Sequence, residues 1–303
     1  MKLAAIDIGT HSVLLLVAEK KSSGKIDVLA DEATLTRIGE GLGEGNKFKE
    51  GGMKRTLAVL KKYRALCDGQ GVEKIVAVGT AAFRKAQNAG EFVRRAEKEC
   101  GIKIEIISGE REAALTWKAA STDFGEKITV IDIGGGSTEI ITPGPRAISI
   151  PAGSVILTEK YCRSDPISNS DYQNICNAIE KSLTFSNFAL RTSHSNTLVA
   201  TAGTATTLGA IKKKMKTYKH AEIHGMKISL AEIKKIIADL RAKTIEERKK
   251  IPGLEPGRAD VILAGATLLK KIAEHFNFEE ITISDRGVRW GVAYEVFASD
   301  LST

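Results

Sequence analysis

Apolar positions near the start of the chain fall in two runs separated by a short polar turn. The first run, in KLAAIDIGTHS (Lys2–Ser12), leads into Asp7-Ile8-Gly9, and the second is Val13–Ala18. That pattern predicts a β-hairpin. The same arrangement returns in KITVIDIGGGS (Lys127–Ser137), again followed by an apolar run, Glu139–Thr142. Lys, Ile, Asp, Ile, Gly and Ser recur at matching positions, which marks an internal repeat.

The rest of each half alternates between the two periodicities. Lys25–Leu29 and Glu32–Ile38 read as strands, Gly39–Gly45 as a Gly-rich loop, and Gly52–Cys67 as a helix with Met53, Leu57, Leu60 and Leu66 near one face. Strand Lys74–Gly79, helix Gly90–Cys100, strand Ile102–Ile107 and helix Glu110–Ala120 follow, with Ser108 placed to cap the last. In the second half, strands are expected at Ile128–Ile133, Glu139–Thr142, Ala147–Pro151, Thr197–Thr201 and Ile281–Ser284. Helices are expected at Asp171–Phe188, after the loop Ala202–Thr207, and at Leu230–Ala242, Ala259–His275 and Arg289–Ala298. An opening meander followed by alternating strands and helices is the α/β pattern, here written twice. The turn Asp123–Gly125 is the best boundary. It gives domains 1–122 and 123–303, with a C-terminal helix at about 289–303 placed to pack back on the first.

Composition adds a broad class. The chain has 303 residues, 43% of them apolar and 27% charged, which suits a globular protein of two domains. No apolar run reaches the roughly 18 residues of a transmembrane helix, and Asp7 interrupts what would be the core of a signal peptide, so no membrane contact and a cytoplasmic location are expected. Cys67, Cys100, Cys162 and Cys176 are too widely spaced for a metal or redox motif and read as ordinary thiols. The formal net charge of +8 suits attraction to a polyanion, with the densest basic cluster at Lys212–Lys214 and Lys216. No aromatics interleave with that cluster, so no nucleic-acid partner is expected.

The candidate chemistry sits at the loops. Gly134-Gly135-Gly136 lets backbone amides approach an anion closely, and Gly9, Thr10, His11 and Ser12 form the matching loop. Ser12 and Ser137 add hydroxyl donors. Two such loops facing one another would hold a phosphate from both sides. Asp7 and Asp132 end apolar strands, where a carboxylate needs a partner or a cation. Asp132 and Glu139 flank one loop and could share Mg²⁺, which uses one or two carboxylates plus substrate phosphate. Arg84 closes Gly79–Arg84 after a strand, and its planar fork suits phosphate. Glu110 and Glu112 follow another strand, and the pattern does not choose between them as a base. Thr201–Thr207, with Gly203 and Thr204, is a further amide-rich anion site, lacking the Gly-Lys-Ser/Thr of a P-loop.

These motifs in this order closely resemble the exopolyphosphatase/guanosine pentaphosphate phosphohydrolase (Ppx/GppA) family, within the actin, sugar-kinase and heat-shock ATPase superfamily. The resemblance is carried by Ala5–Ser12, Arg37–Leu42, Gly79–Arg84, Ile107–Ala113, Ile131–Glu139, Thr201–Leu208, Arg258–Gly265 and Ser284–Gly291. It implies two ribonuclease-H-like domains around a cleft. It implies a hydrolase acting on inorganic polyphosphate, on guanosine pentaphosphate in the stringent response, or on both, with the tetraphosphate as a further ligand. It implies Glu112 as the base that activates water, assisted by Arg84. Asp132 and Glu139 are then the Mg²⁺ ligands, and the two Gly-containing loops hold phosphate. It also suggests a homodimer. A polyphosphate-binding sensor and a polyphosphate phosphotransferase are the alternatives. Relatives often carry Asn or Tyr where His11 stands, a basic residue at Leu14 and Arg at Ile156, so the affinity for phosphate chains is where this sequence departs.

Overall fold

The computed structural model describes residues 1–144, 146–185 and 197–299. Contacts divide the chain into two units, Met1–Ala119 with Val288–Thr303, and Ala120–Gly287.

The first unit opens with the expected hairpin, β1 (Lys2–Ile8) and β2 (Ser12–Lys20). The two expected strands that follow are one continuous strand, β3 (Ile26–Leu35), which pairs with β2 on both sides of a register shift at Val17/Ala18. The unpaired residue at that shift is Leu29, while Ala30 and Asp31, the expected interruption, are paired with Val17 and Leu16. The Gly-rich loop contains a single helical turn, α1 (Leu42–Gly45). Then come α2 (Glu50–Gly69), β4 (Lys74–Gly79), α3 (Ala81–Lys85), α4 (Ala89–Cys100), β5 (Ile104–Ile106) and α5 (Gly109–Phe124). The sheet order is β3-β2-β1-β4-β5, antiparallel through β1 and then parallel.

Alternation along β1 gives this sheet two buried faces. Ala4, Ile6 and Ile8 pack with Met53, Leu57, Leu60, Tyr63 and Phe92 of α2 and α4. On the opposite face Leu3 lies in a cluster with Ala119, Trp290 and Phe297, and Ala5 in one with Leu115, Val288 and Val292, so the C-terminal helix belongs to this core. Leu66, expected among the inward positions of α2, is only half-buried; Tyr63 and Cys67 fill that side instead.

In the second unit β6 (Ile128–Ile133), β7 (Thr138–Thr142) and β8 (Arg146–Ile150) form a meander. After it come α6 (Ser154–Tyr161), α7 (Asn169–Phe185), β9 (Thr197–Thr201), α8 (Ala202–Lys212), α9 (His220–Ile223), β10 (Lys227–Ser229), α10 (Leu230–Arg241), α11 (Ile245–Arg248), α12 (Ile262–His275) and β11 (Glu280–Ile283). The last helix, α13 (Val288–Ser299), returns to the first unit. Residues 186–188 of the expected helix Asp171–Phe188 and residues 300–303 of the expected C-terminal helix lie outside the described residues.

The sheet order is β10-β11-β9-β6-β7-β8, with β11, β9 and β6 parallel. Two expectations change here. Ser154–Tyr161, which carried no element in the sequence reading, is helical, and Ala202–Thr207 is not a loop but the first turns of α8. Ala202 makes the strand-to-helix switch in the left-handed region, at φ 66°. Within the basic cluster, Lys212 pairs with Glu232 and Lys213 with Glu222, which neutralises part of its charge. Among the described residues no helix is long and apolar enough to cross a membrane.

Candidate active site

The repeated loops have the same backbone closure. Gly9 donates to Ser12 O at 2.9 Å, and Gly134 donates to Ser137 O at 3.0 Å. The first loop is clamped from outside. Thr36 and Arg37 both donate to His11 O, and Gly39 donates to Thr10 O at 2.9 Å. A Cβ on Gly39 would lie 2.3 Å from Thr10 Cγ2 and 3.2 Å from Thr10 O, so any larger residue would press on this loop. His11 is buried, while Gly9, Thr10 and Ser12 are half-buried.

Asp7 lies directly opposite Leu14 in the hairpin. Its Oδ1 is buried without a hydrogen-bond partner among the described residues. Burial pushes the Asp7 carboxyl up to about 6, and the Arg289 guanidinium offsets this only in part. Arg289, in the first turn of α13, is committed to Asp31 of β3, with Nη2 2.9 Å from Oδ1 and both side chains buried.

Arg84 and Glu112 come together in the same unit. Phe83 packs edge-to-face with Phe48 and Phe92, at centroid separations of 5.1 and 5.7 Å, which anchors α3. A Cβ on Gly79 would lie 2.7 Å from the Phe83 ring, so glycine lets the helix sit against the end of β4. From there Arg84 Nη1 reaches Glu112 Oε2 at 2.7 Å and Ile107 O at 3.0 Å. Glu112 lies in the first turn of α5, where Ser108 Oγ accepts from the Arg111 amide. Glu112 is 8% exposed, whereas Glu110 faces solvent.

In the second unit α6 braces the triple-glycine loop. The amides of Ser154, Val155 and Ile156 would be orphan donors of a helix start. They donate instead to Gly134 O and Gly135 O at 3.0–3.1 Å. A Cβ on Gly153 would lie 2.4 Å from Gly135 O, so the two backbones touch. Ile156 is therefore beside the loop. Asp132 and Glu139 are register partners across β6 and β7, so their carboxylates emerge side by side on one face. Glu139 is buried, and its Oε1 accepts from Ser137 Oγ at 3.0 Å and Ser149 Oγ at 2.8 Å. Among the described residues no group of three or more His, Cys, Asp or Glu side chains gathers at metal-binding distance. Two adjacent hard-oxygen carboxylates suit Mg²⁺, which takes its other ligands from water and phosphate.

No side chain caps α8, whose N-cap Thr201 turns its hydroxyl to Arg286 O at 3.2 Å. Thr204 packs inward, its Oγ1 2.5 Å from where a Cβ on Gly265 of α12 would stand, so its amide and not its hydroxyl is placed for an anion. Sequence reasoning missed a charge here. The Arg258 guanidinium lies over Gly203, with Nη1 2.1 Å from the position a Cβ would occupy. Its presence in the motif Arg258–Gly265 was the available signal.

Comparison with known proteins identifies the family. The sequence model of the Ppx/GppA phosphatase family matches residues 16–300. The chain is 32% identical to a bifunctional 3-dehydroquinate synthase/phosphatase of Fusobacterium nucleatum, over 96% of this chain and 46% of that protein. It is 30% identical to Exopolyphosphatase 2 of Mycobacterium tuberculosis, over 96% of this chain and 97% of that protein. It is also 30% identical to the guanosine-5'-triphosphate,3'-diphosphate pyrophosphatase of Vibrio cholerae, over 97% of this chain and 59% of that protein. The chain thus spans about half the length of the first, nearly all of the second and 59% of the third. The crystal structure of the Aquifex aeolicus member of the Ppx/GppA protein family superposes with a TM-score of 0.81 at 33% identity, covering 100% of this chain and 98% of that one.

Proposed function

The chain belongs to the Ppx/GppA phosphatase family and has its two-domain, actin-like fold, and from that premise we propose that it hydrolyses the terminal phosphate from inorganic polyphosphate, with guanosine pentaphosphate as a second substrate. Relatives matched along nearly the whole chain bear the names of both activities. The observation that carries the catalytic assignment is the buried Glu112 carboxylate, held by Arg84 at 2.7 Å in the first turn of a helix.

Glu112 acts as the general base. It takes a proton from the attacking water as the water oxygen bonds to the terminal phosphorus. The bond from that phosphorus to the bridging oxygen breaks, and the shortened chain leaves with the electron pair. Arg84 neutralises charge on the incoming phosphate, for which it must exchange part of its contact with Glu112. In the first unit the amides of Gly9–Ser12 serve phosphate oxygens; in the second those of Gly134–Ser137 and of the Gly203–Thr204 turn do so, and Arg258 adds a positive charge over Gly203. Asp132 and Glu139 would hold Mg²⁺, which supplies further neutralisation of the phosphate chain when bound. The four free cysteines support a reducing compartment, and we place the protein in the cytoplasm.

Phosphate release from long-chain polyphosphate tests this reading. Glu112→Gln is expected to lower kcat by about 10²- to 10⁴-fold, the usual worth of a general base, with KM nearly unchanged. Equal rates for the two proteins would remove Glu112 from the mechanism. ADP added as acceptor is expected to remain unphosphorylated; ATP formation would turn the reading toward a phosphotransferase.

A further inference from the structure

Beyond the phosphate-binding loops, the second unit presents two aromatic-type rings fixed at right angles. Tyr218 is a large side chain left 40% exposed. Its hydroxyl donates to Asp285 Oδ1 at 2.8 Å, and His220 Nδ1 binds Oδ2 of the same carboxylate. The ring centroids are 5.0 Å apart, with an interplanar angle of 84°. The His220 side chain is likewise 40% exposed, whereas Asp285 is buried to 11%.

A second layer holds Asp285 itself. Its amide donates to His224 Nδ1 at 3.4 Å. That direction requires a neutral imidazole, and burial together with Arg286 keeps the His224 pKa low. His224 stacks near Phe124, and Arg286 Nη1 pairs with Asp123 Oδ1 at 2.7 Å. The corner is therefore rigid before any ligand arrives, which lowers the entropic cost of binding. It is also continuous with the anion site. Ser284, next to Asp285, donates to Ala200 O at 2.8 Å, and Thr201 at the start of α8 donates to Arg286 O.

Phosphate chains have no use for exposed rings, whereas a planar base does. We propose that Tyr218 and His220 form a stacking corner for the base of a purine nucleoside polyphosphate whose phosphates reach the amides at the start of α8. The corner then gives the nucleotide a contact that bare polyphosphate does not make. This inference rests on the hydrolase reading for its chemistry but not for its test.

The test is calorimetric binding of guanosine pentaphosphate and, separately, of linear inorganic pentaphosphate to the full chain carrying Glu112→Gln. Adding Tyr218→Ala is expected to weaken the nucleotide by about 10-fold or more, as loss of one base-stacking ring does, and to leave the inorganic chain within about twofold. Tyr218→Phe, which keeps the ring and loses only the bond to Asp285, is expected to retain most of the nucleotide affinity. Unchanged nucleotide binding in Tyr218→Ala, or equal weakening of both ligands, overturns the proposal. The readout is binding of the intact ligand, checked by recovering it unhydrolysed after the titration. A failure of the hydrolase reading appears separately, as no phosphate release by the unsubstituted protein.

Discussion

Asp7 is the residue at which this chain carries an unresolved electrostatic cost. Its pKa of about 6 reflects burial of the carboxyl, offset only in part by Arg289, a guanidinium already bound to Asp31. Above pH 6 folded Asp7 is ionised and the full penalty applies. Between about 4 and 6 the folded state takes up a proton that the unfolded chain does not, and the penalty fades. Asp7→Asn should therefore stabilise the fold at pH 7.5 by an amount on the order of 3 kcal/mol, and the gain should vanish near pH 4. Chemical denaturation of both proteins across this range checks it; a gain that grows toward low pH would contradict the assignment. Leu14, the register partner of Asp7, is where relatives often carry a basic side chain. Leu14→Arg puts a cation beside the carboxylate and is expected to lower both the Asp7 pKa and the KM for polyphosphate. Steady-state kinetics and the same pH-dependent denaturation measure the two effects.

At the scale of elements, α6 determines the shape of the second loop. Its first-turn amides bind the carbonyls of Gly134 and Gly135, so the helix start and the loop satisfy one another. Gly153→Ala drives a methyl into the Gly135 carbonyl, a backbone contact that no side-chain rotation relieves. Overpacking of this kind costs roughly 1–3 kcal/mol. Thermal denaturation should show a transition several degrees lower, and phosphate release should fall more than the stability loss explains. An active, equally stable Gly153→Ala protein would show that the brace is dispensable. None of this was legible from periodicity, because Ser154–Tyr161 has no marked apolar stripe and is defined by what its amides bind.

For the molecule as a whole, the net charge of +8 predicts faster capture of anionic chains at low salt. Because screening acts on approach more than on bound groups, kcat/KM for polyphosphate should fall steeply between about 0.05 and 0.5 M salt while kcat changes little. A flat kcat/KM would mean that the paired lysines, such as Lys212 with Glu232, leave no steering field. Chelation should abolish activity, and Glu139→Gln should raise the Mg²⁺ concentration for half-activation by about 10-fold or more, by analogy with the loss of metal-site support. Calorimetric titration with Mg²⁺, with both proteins carrying Glu112→Gln to suppress turnover, gives the same comparison as a binding measurement.

The sequence by itself determined the duplicated hairpins, the α/β alternation and the loops rich in small residues, because these depend on local periodicity and on what glycine alone permits. The ordered motifs also carried the family. Periodicity could not join β3 across its bulge, since register is settled by the partner strand. It could not see that Ala202–Thr207 begins a helix, because that start rests on a left-handed Ala202 and on uncapped amides. Which of Glu110 and Glu112 is buried was likewise tertiary. The two carboxylates differ by two positions on one helix, and only folding places Arg84 against the buried one. The placement of Arg258 over Gly203 follows from packing between residues distant in the chain, whereas Asp132 and Glu139, on the two arms of one hairpin, were legible as neighbours and gained only their exact register from the fold.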